Sequence, residues 1–289
     1  MASLLQLKSR IKAAQNVSKT TKAMQMIAAS KLKRAQQAAL AGRPYVHKLE
    51  TLTHAVAQSQ SQEKTATTHP YMTPRFNTKK TLVLFLSPDK GLCGGLIANL
   101  LREYMRNVRA ENTSYILVGK KAQATVTRLE KDVIATFDFG TTLPTFDMVY
   151  PLMKLIDEYY LSGKVDSVKI LGANFTSIFT QTPKIDTILP IALEKQPEEK
   201  KETEAGYIFE PSATDLLPSL LKHYVEMVLF QHLLESFVSE QAARMISMQN
   251  ATNNAKDIIE DLRLEYNKTR QAKITSEILD ITGSRAQQT

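Results

Sequence analysis

The sequence predicts a composite fold, in which a long antiparallel coiled coil of the N- and C-terminal helices carries an inserted α/β domain. Two observations predict it. Both ends of the 289-residue chain show long stretches of helical apolar periodicity, and the middle alternates short apolar runs with amphipathic stretches. We expect an N-terminal coiled-coil helix over residues 1–57, a linker over 58–75, the inserted domain over 76–208 and a C-terminal helix over 209–289.

The C-terminal helix is predicted from residues 212–281. Pro218 lies near its first turn, where a missing N–H costs least, and no Pro or Gly follows until Gly283. About 70 residues at 1.5 Å each give a rod roughly 100 Å long, which no ordinary core can bury. It therefore needs a partner. A seam of alternating three- and four-residue spacings runs along it: Tyr224, Met227, Gln231, Leu234, Val238, Gln241, Met245, Met248, Thr252, Ala255, Ile259, Leu262, Tyr266 and Thr269.

The N-terminal helix supplies that partner. Ser3 is its predicted N-cap, and we expect a kink or a break at Gly42–Arg43–Pro44. An antiparallel pair within one chain is a simpler arrangement than a parallel homodimer, in which each end must find its copy. The seam is rich in small residues, which let two backbones approach closely: Leu4, Leu7, Ile11, Ala14, Ser18, Thr21, Gln25, Ala28, Leu32, Ala35, Ala39, Val46, Leu49 and Val56.

The inserted domain alternates predicted strands and helices, which indicates an open, mostly parallel, Rossmann-like sheet. The polar residues 58–78 read as a linker, and the charged residues 194–204 are expected to be exposed. Strands are predicted at 81–86, 114–119, 133–137 and 167–175 with an edge strand at 187–193, and helices at 96–109, 122–129 and 146–161.

The charge of the chain is concentrated at its N-terminus. Residues 1–62 carry ten Lys or Arg against the single acid Glu50, a net charge of +9, whereas the whole chain is +8. This predicts an acidic partner for the first helix, and nucleic acid is one candidate. Residues 1–44 contain no aromatic side chain that could stack on bases. A basic coiled-coil scaffold or a nucleic-acid-binding protein with an α/β insertion remains the alternative function.

The residue inventory restricts the compartment and the chemistry. Cys93 is the only cysteine, so no disulfide forms within the chain, and this suits a reducing compartment. No run approaches roughly 18 apolar residues, so direct membrane insertion is not expected. The N-terminus shows no secretory signal and reads as structure. The five histidines have no metal-ligand spacing, and we expect no metal and no cofactor.

The glycine turn, residues 87–95 (SPDKGLCGG), is the best candidate for an active site. It joins a strand to a helix, where phosphates bind in nucleotide-binding folds, and it holds Gly91, Cys93, Gly94 and Gly95. It does not match G-x-G-x-x-G, and no Gly-Lys-Ser/Thr follows. No histidine lies nearby to activate the thiol. A tight turn requiring positive φ is the favoured interpretation, and a nucleotide-dependent enzyme is the rival hypothesis.

Four segments together resemble one known family, the gamma subunit of the F-type ATP synthase. They are residues 11–36 (IKAAQNVSKTTKAMQMIAASKLKRAQ), 89–96 (DKGLCGGL), 239–254 (SEQAARMISMQNATNN) and 266–275 (YNKTRQAKIT). They occur in the order and spacing of that family. The chain departs from the family pattern at five positions: Thr20, Pro88, Ile97, Ser284 and Arg285.

The resemblance implies a non-catalytic central rotor shaft that couples transmembrane proton flow to ATP synthesis or hydrolysis. Its implied partners are three alpha and three beta subunits around the coiled coil, together with the epsilon subunit and the membrane c-ring. Because the N-terminus shows no presequence, we expect a peripheral protein on the cytoplasmic side of a bacterial inner membrane rather than a mitochondrial precursor. Nucleic acid would then not be a partner.

The resemblance also implies contact residues for the alpha/beta ring. Arg270, Gln271 and Thr275 match a polar catch that meets a loop of one beta subunit. A second set matches the region facing the acidic loop at the base of beta: Lys22, Met24, Lys31, Lys33, Arg34 and Arg244. The apolar tip of the C-terminal helix matches a bearing that grips without specific bonds, and consists of Ile274, Ile278, Leu279 and Ile281.

Overall fold

A computed structural model describes residues 3–62, 69–75, 78–108, 112–129, 132–191, 210 and 212–286. The predicted charged segment 194–204 and residues 63–68 of the predicted linker lie outside these residues. The chain divides into two compact units, the first comprising Met1–Ala29 with Arg244–Thr289 and the second comprising Ser30–Ala243.

Helix α1, Leu4–Gln62, begins with the predicted cap. The Ser3 Oγ accepts the N–H of Gln6, and the Gln6 side chain accepts the N–H of Ser3 in return. Of the predicted kink or break at residues 42–44, the break is wrong, because α1 is helical through Gly42 and Pro44, and the kink stays a prediction. Gln231 on α5 contacts this stretch: its Nε2 donates to the Ala39 carbonyl, and its Oε1 would lie 3.2 Å from a Cβ added at Gly42.

Helix α5, Ala213–Ala286, is the predicted C-terminal rod. Ser212 caps it by accepting the N–H of Asp215. In the first unit its buried side chains follow the predicted three/four spacing: Met248, Thr252, Ala255, Ile259 and Leu262. The Thr21 and Thr252 hydroxyls are 2.7 Å apart across the seam to α1. The heptad pattern is therefore confirmed in this unit.

In the second unit α5 buries the predicted seam only in part, since Leu234, Val238 and Gln241 are buried as predicted. Tyr224, Met227 and Gln231 are only half-buried. The buried positions recur every four residues instead: Leu217, Leu221, Val225, Leu229 and Leu233. The prediction was wrong for these three half-buried positions because α5 packs against both α1 and the α/β domain, and a helix with two neighbours buries a wider face than a two-stranded seam.

Contacts between α1 and α5 in the second unit establish their relative direction. Arg43 pairs with Glu235 at 3.3 Å, and the Tyr45 hydroxyl lies 2.8 Å from His223 Nε2. The contact positions ascend α1 while they descend α5, so the two helices are antiparallel. The predicted seam of α1 is buried here at Leu32, Ala35, Ala39, Leu49 and Val56.

The inserted domain is a five-stranded sheet of order β3-β2-β1-β4-β5. Strands β1 to β4 are parallel, and β5 pairs antiparallel with β4. The mostly parallel sheet is thus confirmed. The strands are β1 Thr81–Leu86, β2 Thr113–Val118, β3 Val133–Phe137, β4 Ser167–Phe175 and β5 Gln181–Leu189. Strand β5 begins six residues before the predicted edge strand. Its first half was not predicted, because it alternates polar residues and contains Pro183, which usually argues against a strand.

Helices cover the sheet, and their bounds are α2 Leu96–Glu103, α3 Lys120–Leu129 and α4 Val149–Leu161. Helix α2 continues as a π-helix over Tyr104–Val108, and short 3₁₀ turns form at Pro70–Met72 and Phe146–Met148. Phe85 on β1 stacks on Tyr104, with ring centroids 5.7 Å apart. Within the described ranges, no helix combines the length and the hydrophobicity that crossing a bilayer requires.

Candidate functional site

The glycine turn adopts the conformation of a tight turn, as the favoured interpretation predicted. Leu92 and Gly94 have positive φ angles of 63° and 58°. Cys93 is buried in the domain core, and Gly95 stands at the start of α2 without a side-chain cap. The strain at Leu92, which has a Cβ, shows that the surrounding contacts hold this turn in place.

The carboxylate of Asp89 ties the turn to its neighbours. Its Oδ1 accepts the backbone N–H groups of Lys120 at 3.0 Å and Phe139 at 3.2 Å, and its Oδ2 accepts that of Gly140 at 2.7 Å. These three donors follow β2 and β3 at the carboxyl edge of the sheet, where a phosphate would seek N–H groups. The chain therefore supplies its own anion. Sequence reasoning assigned no role to Asp89, although an acid directly after a strand was visible.

A second contact packs the ends of β1 and β2 together. Gly119 has φ +99°, and a Cβ added there would lie 1.8 Å from the Ser87 carbonyl oxygen. The Ser87 hydroxyl donates to the Gly119 carbonyl and accepts the N–H of Ala122 at the start of α3. Sequence reasoning also missed this contact, because a glycine after a strand indicates a turn without revealing what approaches it.

Helix α5 passes over the same edge of the sheet. The Ser239 hydroxyl donates to the Ala173 carbonyl in β4 at 3.1 Å, and the Phe237 ring lies 6.3 Å from that of Phe139, which follows β3. Ala243 packs against the core cluster that contains Cys93. The strand order reverses between β1 and β4, where α/β sheets bind ligands. Here a helix of the same chain lies across that position.

The titratable groups near this part of α5 form structural contacts. His232 Nε2 lies 3.7 Å from Asp186 Oδ2, and burial lowers the pKa of His232 although Asp186 and Glu235 act to raise it. Among the described residues, no group of three His, Cys, Asp or Glu is placed to hold a metal ion. This arrangement supports packing rather than proton transfer.

The basic residues predicted on α1 present most of their charge to solvent. In the first unit Lys22 and Met24 are exposed, and Lys22 Nζ donates to Gln25 at 3.3 Å. In the second unit Lys33 and Arg34 are exposed, while Lys31 is half-buried and donates to the Thr141 carbonyl. Arg244 on α5 is half-buried.

The predicted catch lies on the exposed surface of α5 in the first unit. Arg270, Gln271 and Thr275 are all exposed, and the Thr275 hydroxyl donates to the Gln271 carbonyl one turn earlier. Ile274, Ile278 and Leu279 are also about half exposed or more. The structure describes only the backbone of Ile281, Ser284 and Arg285. Large apolar side chains at the solvent-facing end of a rod indicate contact with other molecules.

The features described above are typical of a protein that works through contacts with partners. They are two long paired helices, an exposed basic and apolar surface, and an inserted domain with a covered ligand position. Comparison with known proteins agrees. The family described as ATP synthase matches residues 3–286. The ATP synthase gamma chain of Dehalococcoides mccartyi is 40% identical over 290 residues, and that of Legionella pneumophila is 34% identical over 293, each alignment covering 99% of both chains.

Solved structures share the fold at lower sequence identity. A chain of the Euglena gracilis mitochondrial ATP synthase superposes with a TM-score of 0.68 at 17% identity, covering 98% of this chain and 93% of that one. A chain of the Tetrahymena thermophila central stalk and c-ring gives 0.58 at 24% identity, covering 80% and 99%. With its full-length relatives above one-third identity, this protein belongs to the ATP synthase gamma chain family, whose members are non-catalytic subunits of the rotary complex.

Proposed function

We propose that this gamma chain is the rotor shaft inside a ring of three alpha and three beta subunits, where it couples proton flow to nucleotide chemistry in beta. We expect Arg270, Gln271 and Thr275, the catch residues, to contact a loop of one beta subunit. Their exposure on α5 supports this part of the proposal. Each beta subunit would meet a different face of the turning shaft. Its conformations then shift in population because their contact energies with the shaft differ.

Charge supports the same arrangement for α1. The net charge of +9 over residues 1–62 favours acidic neighbours, and Lys22, Lys33 and Arg34 are exposed and can approach them. Lys22 would give up only its exposed hydrogen bond to Gln25. Exposed charges at a contact surface mainly accelerate association and select partners. This suits a shaft that must leave each contact as readily as it forms it.

The other partners follow from the same role. The structural relative from Tetrahymena thermophila is named as a central stalk with a c-ring. We place the epsilon subunit and the c-ring against the part of this chain that lies outside the alpha/beta ring. The protein would then be peripheral to the cytoplasmic face of a bacterial inner membrane.

Co-expression with alpha, beta and epsilon subunits tests the assembly. We expect a stable complex containing three alpha, three beta and one copy of this chain, measured by native mass spectrometry. A chain that elutes alone, or that is instead retained by DNA in a salt-sensitive manner while alpha and beta are present, would contradict the proposed function.

The catch is tested by Arg270→Ala in the assembled membrane complex. Arg270 is exposed, so the fold and assembly should be unchanged, whereas ATP synthesis should fall about tenfold if one charge-assisted contact to beta, worth about 1.5 kcal/mol, is lost. Arg263→Ala removes another exposed arginine from the same helix and serves as the control. Equal synthesis rates in the two variants would remove Arg270 from the catch.

A further inference from the structure

A clasp of three side chains joins separate segments of the second unit. The Tyr71 hydroxyl donates to Asp157 Oδ1, and Lys222 Nζ lies 3.2 Å from Asp157 Oδ2. Tyr71 belongs to the connection between α1 and β1, Asp157 to α4 and Lys222 to the first turns of α5. One carboxylate therefore holds the connection and the long helix at the same time.

The surroundings of the clasp restrict its motion. Tyr71 is only 2% exposed, and its carbonyl accepts the N–H of Ile191 at 2.7 Å. Arg75 donates to the Tyr160 carbonyl on α4, and its guanidinium lies 5.1 Å from the centre of the Tyr160 ring. Hydrogen bonds at Tyr71 and at Arg75 thus hold this connection to the rest of the second unit.

Burial and the neighbouring Asp157 raise the pKa of the Tyr71 hydroxyl well above its usual range. The hydroxyl remains a proton donor at every physiological pH, so the contact with Asp157 persists under working conditions. The Asp157 side chain is 20% exposed, and a hydrogen bond to a charged group at such a site is stronger than one between neutral groups.

We propose that Asp157 is a positioning residue for torque transfer, which fixes the start of α5 to the α/β domain through Tyr71 and Lys222. The inference rests on the rotor function proposed above and adds a route by which force passes from the α/β domain to α5. Force applied to the α/β domain reaches α5 through contacts that must hold under strain. Hydrogen bonds and ion pairs are directional, so movement of α4 relative to α5 would have to break the contact between Asp157 and Lys222.

Asp157→Asn tests this in the assembled complex in inverted membrane vesicles. The amide preserves size and can accept the Tyr71 hydroxyl, but it loses the ion pair with Lys222. We expect ATP hydrolysis close to that of the unchanged protein and proton pumping per ATP hydrolysed lower by about twofold or more. The control is Glu158→Gln on the same helix, α4, which removes the more exposed ion pair between Glu158 and Lys164. This variant should leave both measurements unchanged.

Other outcomes are equally decisive. Unchanged pumping in Asp157→Asn, or hydrolysis and pumping reduced by the same factor, would overturn the positioning role. If that variant does not fold, Tyr71→Phe and Lys222→Gln each remove one partner only, and normal coupling in both would reject the proposal. Failure of the unchanged chain to assemble with alpha and beta subunits would contradict the rotor function itself, and is recognised before any variant is compared.

Discussion

At the scale of single residues, the carboxyl edge of the sheet is held by contacts that leave little freedom for substitution. Asp89 takes three backbone N–H groups, and Ser87 approaches Gly119 more closely than any side chain would permit. These groups occupy the positions where a related fold would bind a phosphate. The polar side chains of the turn therefore form hydrogen bonds within the chain.

Gly119→Ala should destabilise the protein by at least about 3 kcal/mol, because its positive φ strains an alanine and the new Cβ would overlap the Ser87 carbonyl. Denaturant unfolding measures this. Gly91→Ala is the control, since its Cβ would meet only the flexible end of Lys121 at 3.8 Å. Equal losses in the two variants would contradict the close approach.

His232 should make stability depend on pH. Burial lowers its pKa in the folded state below the usual 6.5, so the unfolded chain binds the proton more readily. The folded protein should lose stability as the pH falls below about 6.5, down to the lowered pKa. We expect the free energy of unfolding, taken relative to its value at pH 8, to fall less in the His232→Gln variant than in the unchanged protein between pH 6.5 and pH 5. Denaturant unfolding at each pH measures this. Parallel curves would contradict the assignment.

At the scale of elements, the two long helices and the order of strands and helices were predictable, because periodicities over many residues average out local exceptions. The stripe buried by α5 in the second unit was predictable only in part, since it depends on the neighbour that packs there. Continuity of α1 through Pro44 was not predicted either, because a proline inside a helix removes one hydrogen bond and usually bends or ends the helix. The contacts of Asp89 and Asp157 join residues 31 to 86 positions apart, and a single sequence gives no sign of such distances.

The heptad seam of the first unit predicts unequal costs for two leucines on one helix. Leu262→Ala should reduce the free energy of unfolding by about 2 kcal/mol, because Leu262 is 8% exposed and truncation leaves a cavity. Leu264→Ala removes the same atoms from a position that is 61% exposed and should cost little. Thermal unfolding of both variants measures the difference, and a larger loss at Leu264 would refute the seam.

At the scale of the whole molecule, the inserted domain and the long helix share one surface. Residues 236–243 of α5 lie over the strand ends, through Ser239 on Ala173 and Phe237 beside Phe139. The domain therefore serves as an attachment for the helix. This agrees with a family whose members are non-catalytic subunits of the rotary complex.

The isolated full-length chain should bind no ATP, because its own carboxylate and helix occupy the carboxyl edge of the sheet. Titration calorimetry with Mg²⁺-ATP should give no heat of binding at micromolar to millimolar nucleotide. The complete complex with alpha and beta subunits, which is expected to bind, is the positive control. Micromolar binding to the isolated chain would restore the enzyme hypothesis.

The small side chains along the first unit have a mechanical consequence. Ala14, Ser18 and Thr21 on α1 face a seam that includes Thr252 and Ala255 on α5. Such residues bring helix axes towards the short end of the roughly 8–10 Å range, so the pair is slender. The resistance of a rod to twisting falls steeply with its thickness. Under the rotor function proposed above, such a pair would twist more readily than a thicker one, and this would even out unequal steps at its two ends.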